Sequence, residues 1–230
     1  MHSLNDFNDF STSSYSGDNN LNEYLGFAAG KKPKSRKWLL ALAGAALLGP
    51  CVLFSGGSSP TLEETANMDV AKINQNYNLT LTERDDSNPF IIDKKLVEII
   101  REETEDCDTE MEKAEAIYDW MDDNVDYSES RIVGYRNSSE VINDKKGICG
   151  EMAFLYITMA RSVGLDAKYV SVDRDFRGKS VFHACAAVKV DGKYLLVDPA
   201  YQTFDIEHEK FLLLSDKEAI DRFRTWRKRK

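Results

Sequence analysis

Two apolar runs separated by a single Asp-Gly pair constrain this chain more than any other stretch of it. Val181-Phe182-His183-Ala184-Cys185-Ala186-Ala187-Val188-Lys189-Val190 precedes Asp191-Gly192, and Lys193-Tyr194-Leu195-Leu196-Val197-Asp198-Pro199 follows. Asp-Gly between such runs predicts a β-hairpin closed by a two-residue turn. That turn sets the register: Val190 opposes Lys193, Cys185 opposes Asp198, and His183 and Asp198 become diagonal neighbours on one face. Diagonal pairs lie roughly 7–8 Å apart at the backbone, within reach of long side chains. One extra residue in the turn would send the two to opposite faces, so the register is itself a test. Asp198 so placed orients the His183 imidazole and stabilises its charged form.

Upstream, Gly147-Ile148-Cys149-Gly150-Glu151 opens a run from Met152 to Val163 that is apolar on nearly every face and stops at Gly164. This predicts a buried helix with a glycine C-terminal stop and Cys149 in its first turn. Unpaired backbone N–H groups and the positive end of the helix dipole stabilise negative charge on a sulfur placed there. A thiolate is the nucleophile that covalent acyl transfer needs. The flanking glycines admit a substrate close to the backbone, and the Cys149 N–H is itself a candidate oxyanion donor.

Composition excludes several classes. With 230 residues, 42% of them apolar, the chain can bury one full core with appendages. A net charge of −9 argues against nucleic-acid binding, which needs a basic surface. The four cysteines, at 51, 107, 149 and 185, form no CxxC pair, and with three histidines no zinc ligand set emerges from spacing. No metal and no cofactor is expected.

Four segments follow from the N-terminus. Residues 1–37 are rich in Ser, Asn, Asp and Gly and end in the basic cluster Lys31-Lys32-Pro33-Lys34-Ser35-Arg36-Lys37; they read as a disordered tail. The uncharged run Trp38–Phe54 would span roughly 25 Å as a helix, near the lower limit for a bilayer. Its basic N-terminal flank predicts a cytoplasmic tail and an extracytoplasmic remainder. A cleaved signal peptide is the alternative, and it places the remainder on the same side. Residues 55–89 read as a polar stalk, with a strand near Tyr77–Thr82, and residues 90–230 as the folded domain. Asn78-Leu79-Thr80 and Asn137-Ser138-Ser139 match the glycosylation acceptor pattern.

Within the domain, Asp93 caps a helix carrying Leu96, Ile99 and Ile100, and Thr109 with Glu112 forms a capping box for a helix carrying Ala114, Ile117, Met121 and Val125. A loop from Asp126 to Lys146 leads to the cysteine. After the buried helix, Ala167–Val172 reads as a strand and Asp173–Lys179 as a charged loop. Tyr201–Asp205 is expected to leave the sheet, Phe211–Leu214 to anchor the chain through apolar contact, and Asp216 to start a last helix through Ile220, Phe223 and Trp226. An exterior compartment would permit a Cys107–Cys185 disulfide.

The segments Gly147–Ala153, Arg161–Ala167, Phe182-His183-Ala184 and Val197–Tyr201 together resemble the transglutaminase-like superfamily, in the right order, over about Met111 to Leu214. That superfamily is similar to papain-like enzymes in fold and includes transglutaminases, peptidases, peptide amidases and members that have lost catalysis. The resemblance implies Cys149 as nucleophile, His183 as base and Asp198 as orienting acid. It also implies an extra oxyanion donor upstream of the cysteine, for which Tyr127 and Tyr135 are the candidates.

The expected architecture is therefore α+β: helices packed on an antiparallel sheet, with the nucleophile at a helix start and its partners on adjacent strands. The expected activity is thiol-dependent acyl transfer at amide bonds of a peptide or protein. Hydrolysis is favoured over transfer to an amine because nothing suggests a dedicated amine site. The competing reading is a catalytically silent, membrane-displayed module that binds peptide or cell-surface polymer.

Overall fold

The computed structural model describes residues 79–83, 85–128 and 134–228. The run Trp38–Phe54, the tail before it, most of the stalk and Asn78 lie outside these residues. Among the described residues no helix is long and apolar enough to cross a membrane.

The order is α1 (Lys94–Thr104), α2 (Glu110–Asn124), β1 (Asp126–Tyr127), α3 (Ser138–Asp144), β2 (Lys146–Gly147), α4 (Cys149–Ser162), β3 (Ala167–Arg174), β4 (Ser180–Val190), β5 (Lys193–Asp198), β6 (Thr203–Phe204), β7 (Lys210–Leu213) and α5 (Asp216–Arg227). Strands β3 to β7 form one antiparallel sheet in the order β6-β5-β4-β3-β7. The fold is α+β, with α4 laid across β3 and β4 and α1, α2 and α3 packed around α4.

Alternation along the strands divides the sheet between two apolar clusters. Ala167, Tyr169, Ala184, Ala186, Val188 and Val197 join the large cluster with α4. Val170, Val172, Cys185, Ala187 and Leu196 join a smaller one with Ile206. Helix α4 is buried from Gly150 to Ser162, as its all-round apolar sequence requires. It ends in a Schellman motif: Gly164 at φ 85° donates to the Arg161 carbonyl, and Leu165 donates to the Ala160 carbonyl. The caps read from the sequence are present at Asp93, whose carboxylate accepts from Leu96 N–H, and at Thr109, which exchanges bonds with Glu112.

The hairpin has the predicted turn. Asp191 and Gly192 have φ of 50° and 82°, the two positive values of a type I′ turn, and Val190 pairs with Lys193 up to Ala186 with Val197.

Several expectations are corrected. The segment between Asp126 and Lys146 is no continuous loop: β1 pairs in parallel with β2, and α3 lies between them. Asn137 is the N-cap of α3 and only 4% exposed, so the fold uses it as a cap and leaves no room for a glycan. Tyr201–Asp205 does not leave the sheet for good, because Thr203-Phe204 returns to pair with Val197 and Asp198 as an edge strand. Phe211–Leu214 is largely an edge strand too, and of its four residues only Leu214 is buried. The last helix is capped by Ser215, which frees Asp216 to pair with Arg161 at 2.5 Å. No disulfide joins Cys107 and Cys185. Packing also reaches back into the segment read as stalk: Leu81 is in the core, Thr82 bridges Ile91, and Thr80 hydrogen-bonds Asp216.

Candidate active site

Helix α4 delivers Cys149. Its N-cap residue, Ile148, has no side-chain acceptor, so the first-turn N–H groups beside the cysteine are not occupied by a side-chain cap. The helix start is held instead by Glu151, which is fully buried and accepts from Ile148 N–H at 3.1 Å, from Arg136 N–H at 2.8 Å and from Arg136 Nη2 at 2.8 Å. Arg136 also reaches Asp144 at 2.8 Å. This pair ties the segment before α3 to the first turn of α4 and fixes the height of the cysteine.

The hairpin delivers the other two groups. His183 Nε2 lies 2.6 Å from Asp198 Oδ2, and the Cys149 thiol is hydrogen-bonded to the same ring. With Nε2 engaged by the carboxylate, Nδ1 is the nitrogen left for sulfur. Register alone does not aim the ring. Between Ser180 and His183, β4 carries one residue more than β3 spends between Arg174 and Val172. Such a bulge adds local twist and re-aims a side chain.

Electrostatics favour a charged ring. Burial opposes the imidazolium, but the Asp198 charge and the hydrogen bonds to Asp198 and Cys149 outweigh it and raise the His183 pKa to about 10. Burial likewise works against the Asp198 anion, yet the His183 charge and its hydrogen bonds to both histidines and to Tyr201 N–H hold the carboxyl below its ordinary value. Tyr201 lies flat on His183, with ring centroids 4.4 Å apart and planes 17° apart, and shields the ion pair from water.

The two tyrosines read as oxyanion candidates are placed differently. The Tyr135 hydroxyl sits over Gly150 beside that of Tyr169: a Cβ at Gly150 would meet them at 2.6 and 2.9 Å. Burial, with help from Tyr169 and Cys149, keeps the Tyr135 phenol protonated and hence a donor. Tyr127 stands in β1 opposite Gly147, two residues before the cysteine, and packs on the core.

Two features escaped the sequence. One is the Arg136–Glu151 pair. The other is His208, buried and 3.1 Å through Nε2 from the same Asp198 oxygen. His183, Asp198 and His208 bring three ligand-capable atoms within 4.8 Å of one another, a cluster that sequence spacing did not suggest. Their separations of 2.6 and 3.1 Å are those of hydrogen bonds. Ligands around a tetrahedral zinc ion sit about 3.3 Å apart, given metal–nitrogen distances near 2.0 Å. As placed, the three groups share protons through two hydrogen bonds to one carboxylate oxygen.

Residues 97–199 match the family model described as the transglutaminase-like superfamily. Over that segment the chain is similar to the transglutaminase-like superfamily. The matched segment contains Cys149, His183 and Asp198 and ends before Tyr201 and His208. No curated protein sequence matches the chain. Among solved structures, similarity is found to a candidate cysteine protease from Cytophaga hutchinsonii, at 25% identity over 46% of this chain and 37% of that one, with a TM-score of 0.42. A candidate protease from Parabacteroides distasonis is 14% identical over 64% of this chain and 30% of its own, with a TM-score of 0.38. LapG from Legionella pneumophila is 12% identical over 63% and 84%, with a TM-score of 0.41. The chain thus spans only 37% and 30% of the first two. Within the matched segment, the His183 ring interacts with both the Asp198 carboxylate and the Cys149 side chain.

Proposed function

We propose that this protein is a thiol-dependent acyl-transfer enzyme acting on amide bonds of peptides or proteins. The observation that carries the proposal is the single His183 ring shared between the Cys149 thiol and the buried Asp198 carboxylate. In this reading the Cys149 sulfur attacks the amide carbonyl, and the developing oxyanion is met by the Cys149 N–H with Tyr135 or Tyr127 as second donor. His183 gives its proton to the leaving amine through Nδ1, and a thioester to Cys149 remains. Asp198 keeps the ring oriented and compensates its charge throughout. Water completing the cycle makes the enzyme a peptidase or amidase, whereas a second amine makes it a transglutaminase. Hydrolysis is the reading adopted, since nothing in the sequence suggests a dedicated amine site.

The uncharged run Trp38–Phe54 is proposed as the anchor, or the cleaved signal, that places this domain outside the cytoplasm. Mass measurement of the mature N-terminus separates the two.

The function is tested by incubating the protein with a peptide library and an amine-tagged donor and reading adducts by mass spectrometry. The expected result is an acyl fragment on Cys149, absent in Cys149→Ala and His183→Ala, with Cys107 and Cys185 unmodified. Equal labelling of Cys107, Cys149 and Cys185, indifferent to His183→Ala, would refute it and favour a silent binding module.

A further inference from the structure

Asp198 is fully buried, and its carboxylate serves three donors. Oδ1 accepts from Tyr201 N–H at 3.1 Å, while Oδ2 accepts from His183 Nε2 at 2.6 Å and from His208 Nε2 at 3.1 Å. An ionised carboxylate only accepts, so both rings carry a proton on Nε2. For His183 that leaves Nδ1 facing Cys149. For His208 it leaves Nδ1 buried and without a partner. A neutral ring there hides only an unused lone pair, whereas a doubly protonated ring would bury an unpaired charged N–H, a far larger cost. The pocket therefore gives His208 one hydrogen-bonding role, donation from Nε2 to Asp198.

The surroundings reinforce this. The Phe176 and Tyr201 rings lie 6.4 and 6.0 Å from the His208 ring. The titratable groups facing the cluster are Cys149 of α4, Cys185 of β4, Tyr118 of α2 and Tyr201 after β5. Burial keeps Cys185 and Tyr118 protonated, and none of the four brings positive charge. In the loop behind Phe176, Asp175 turns to the N–H groups of Arg177 and Lys179, and the Arg177 guanidinium lies over the Phe176 ring. Glu207 and Glu209, either side of His208, point outward as exposed residues.

We propose that His208 is a positioning residue: it donates a second hydrogen bond to the carboxylate oxygen that orients His183, fixing that oxygen and drawing part of its charge away from the His183 ring. The inference rests on the reading of His183 as the proton carrier for Cys149. Its consequence is that the carboxylate cannot swing, and that its hold on the imidazolium is weaker than a singly engaged carboxylate would exert. His183 then releases its proton to the leaving amine more readily.

The test compares His208→Leu, which fills space without a donor, with His208→Gln, whose amide nitrogen reaches about as far as Nε2. With only three histidines in the chain, the His183 ring can be followed directly by nitrogen-15 NMR across pH. In parallel, Cys149 is alkylated with iodoacetate, whose carboxylate is drawn to the imidazolium and which loses rate as His183 deprotonates. In His208→Leu the His183 titration and the alkaline fall in alkylation should both move up by about half a pH unit or more, with turnover down roughly tenfold at little changed KM. His208→Gln should restore both profiles. Unmoved profiles in a folded His208→Leu, or equal losses in the Leu and Gln variants, would overturn the proposal. If His183→Ala leaves Cys149 alkylation unchanged, the functional reading fails; the His183 titration, which needs no activity, still decides whether His208 shares the carboxylate.

Discussion

Replacing Gly150 with alanine tests how tightly the tyrosine pair gauges the start of α4. The added Cβ would lie 2.6 Å from Tyr135 Oη, 2.9 Å from Tyr135 Cζ and 2.9 Å from Tyr169 Oη. Neither ring gives way freely. Tyr135 stacks on Trp226 at 5.6 Å, and Tyr169 stacks on Phe154 at 4.6 Å, deep in the core. Against the clash stands a gain of about 0.5–1 kcal/mol, because alanine loses less backbone freedom than glycine in a helix. Overpacking a rigid site costs about 1–3 kcal/mol, so the clash wins by roughly 1–2 kcal/mol. For a domain of this size that lowers Tm by about 3–6 °C. The functional effect should be larger than the effect on stability. Cys149 is the adjacent residue, and displacement of a reacting atom by a fraction of an ångström to an ångström costs ten- to about a hundredfold in rate. The assay is a thermal melt with the rate of Cys149 alkylation, run for Gly150→Ala, Tyr135→Phe and the double variant. Removing the hydroxyl takes away the closest contact, so the double variant should recover at least half of the lost stability, a coupling of about 0.5–1 kcal/mol. Strictly additive losses, or a Gly150→Ala protein as stable and reactive as wild type, would refute the claim that the tyrosines set the cysteine's position.

Two further predictions concern charge. The His183 pKa is raised from 6.5 to about 10, so its stabilising contribution is complete below pH 6.5 and lost as pH rises through 10; at about 1.4 kcal/mol per unit the ceiling is about 5 kcal/mol. The Asp198 contribution runs the other way, present above its unfolded value of 3.8 and lost as pH falls through its lowered folded value. Urea midpoints of wild type and His183→Gln should therefore converge between pH 6.5 and 10, and curves that stay parallel across that window would count against a charged His183. Arg136→Ala should destabilise by about 3 kcal/mol, since it leaves the fully buried Glu151 with only backbone donors. A loss under about 1 kcal/mol in chemical denaturation would mean that the pair does not hold the helix start.

The sequence determined this protein's local elements and its pairing register, because both depend on neighbours along the chain. The Asp191-Gly192 turn, the largely apolar run of α4 ended by Gly164, the capping box at Thr109 and the N-cap at Asp93 are local patterns along the chain, and each appears as read. Register then carried His183 to Asp198, the one long-range contact that a hairpin makes predictable. Tertiary structure decided what no such spacing encodes. The edge strands β6 and β7 are short and exist only because a partner strand is already in place, so their own patterns are too weak to announce them. Arg136 meets Glu151 and His208 meets Asp198 from loops whose side chains have no period to follow. A buried carboxylate must collect donors from wherever the chain can supply them, and that demand is satisfied in space, after the elements have packed, rather than along the sequence.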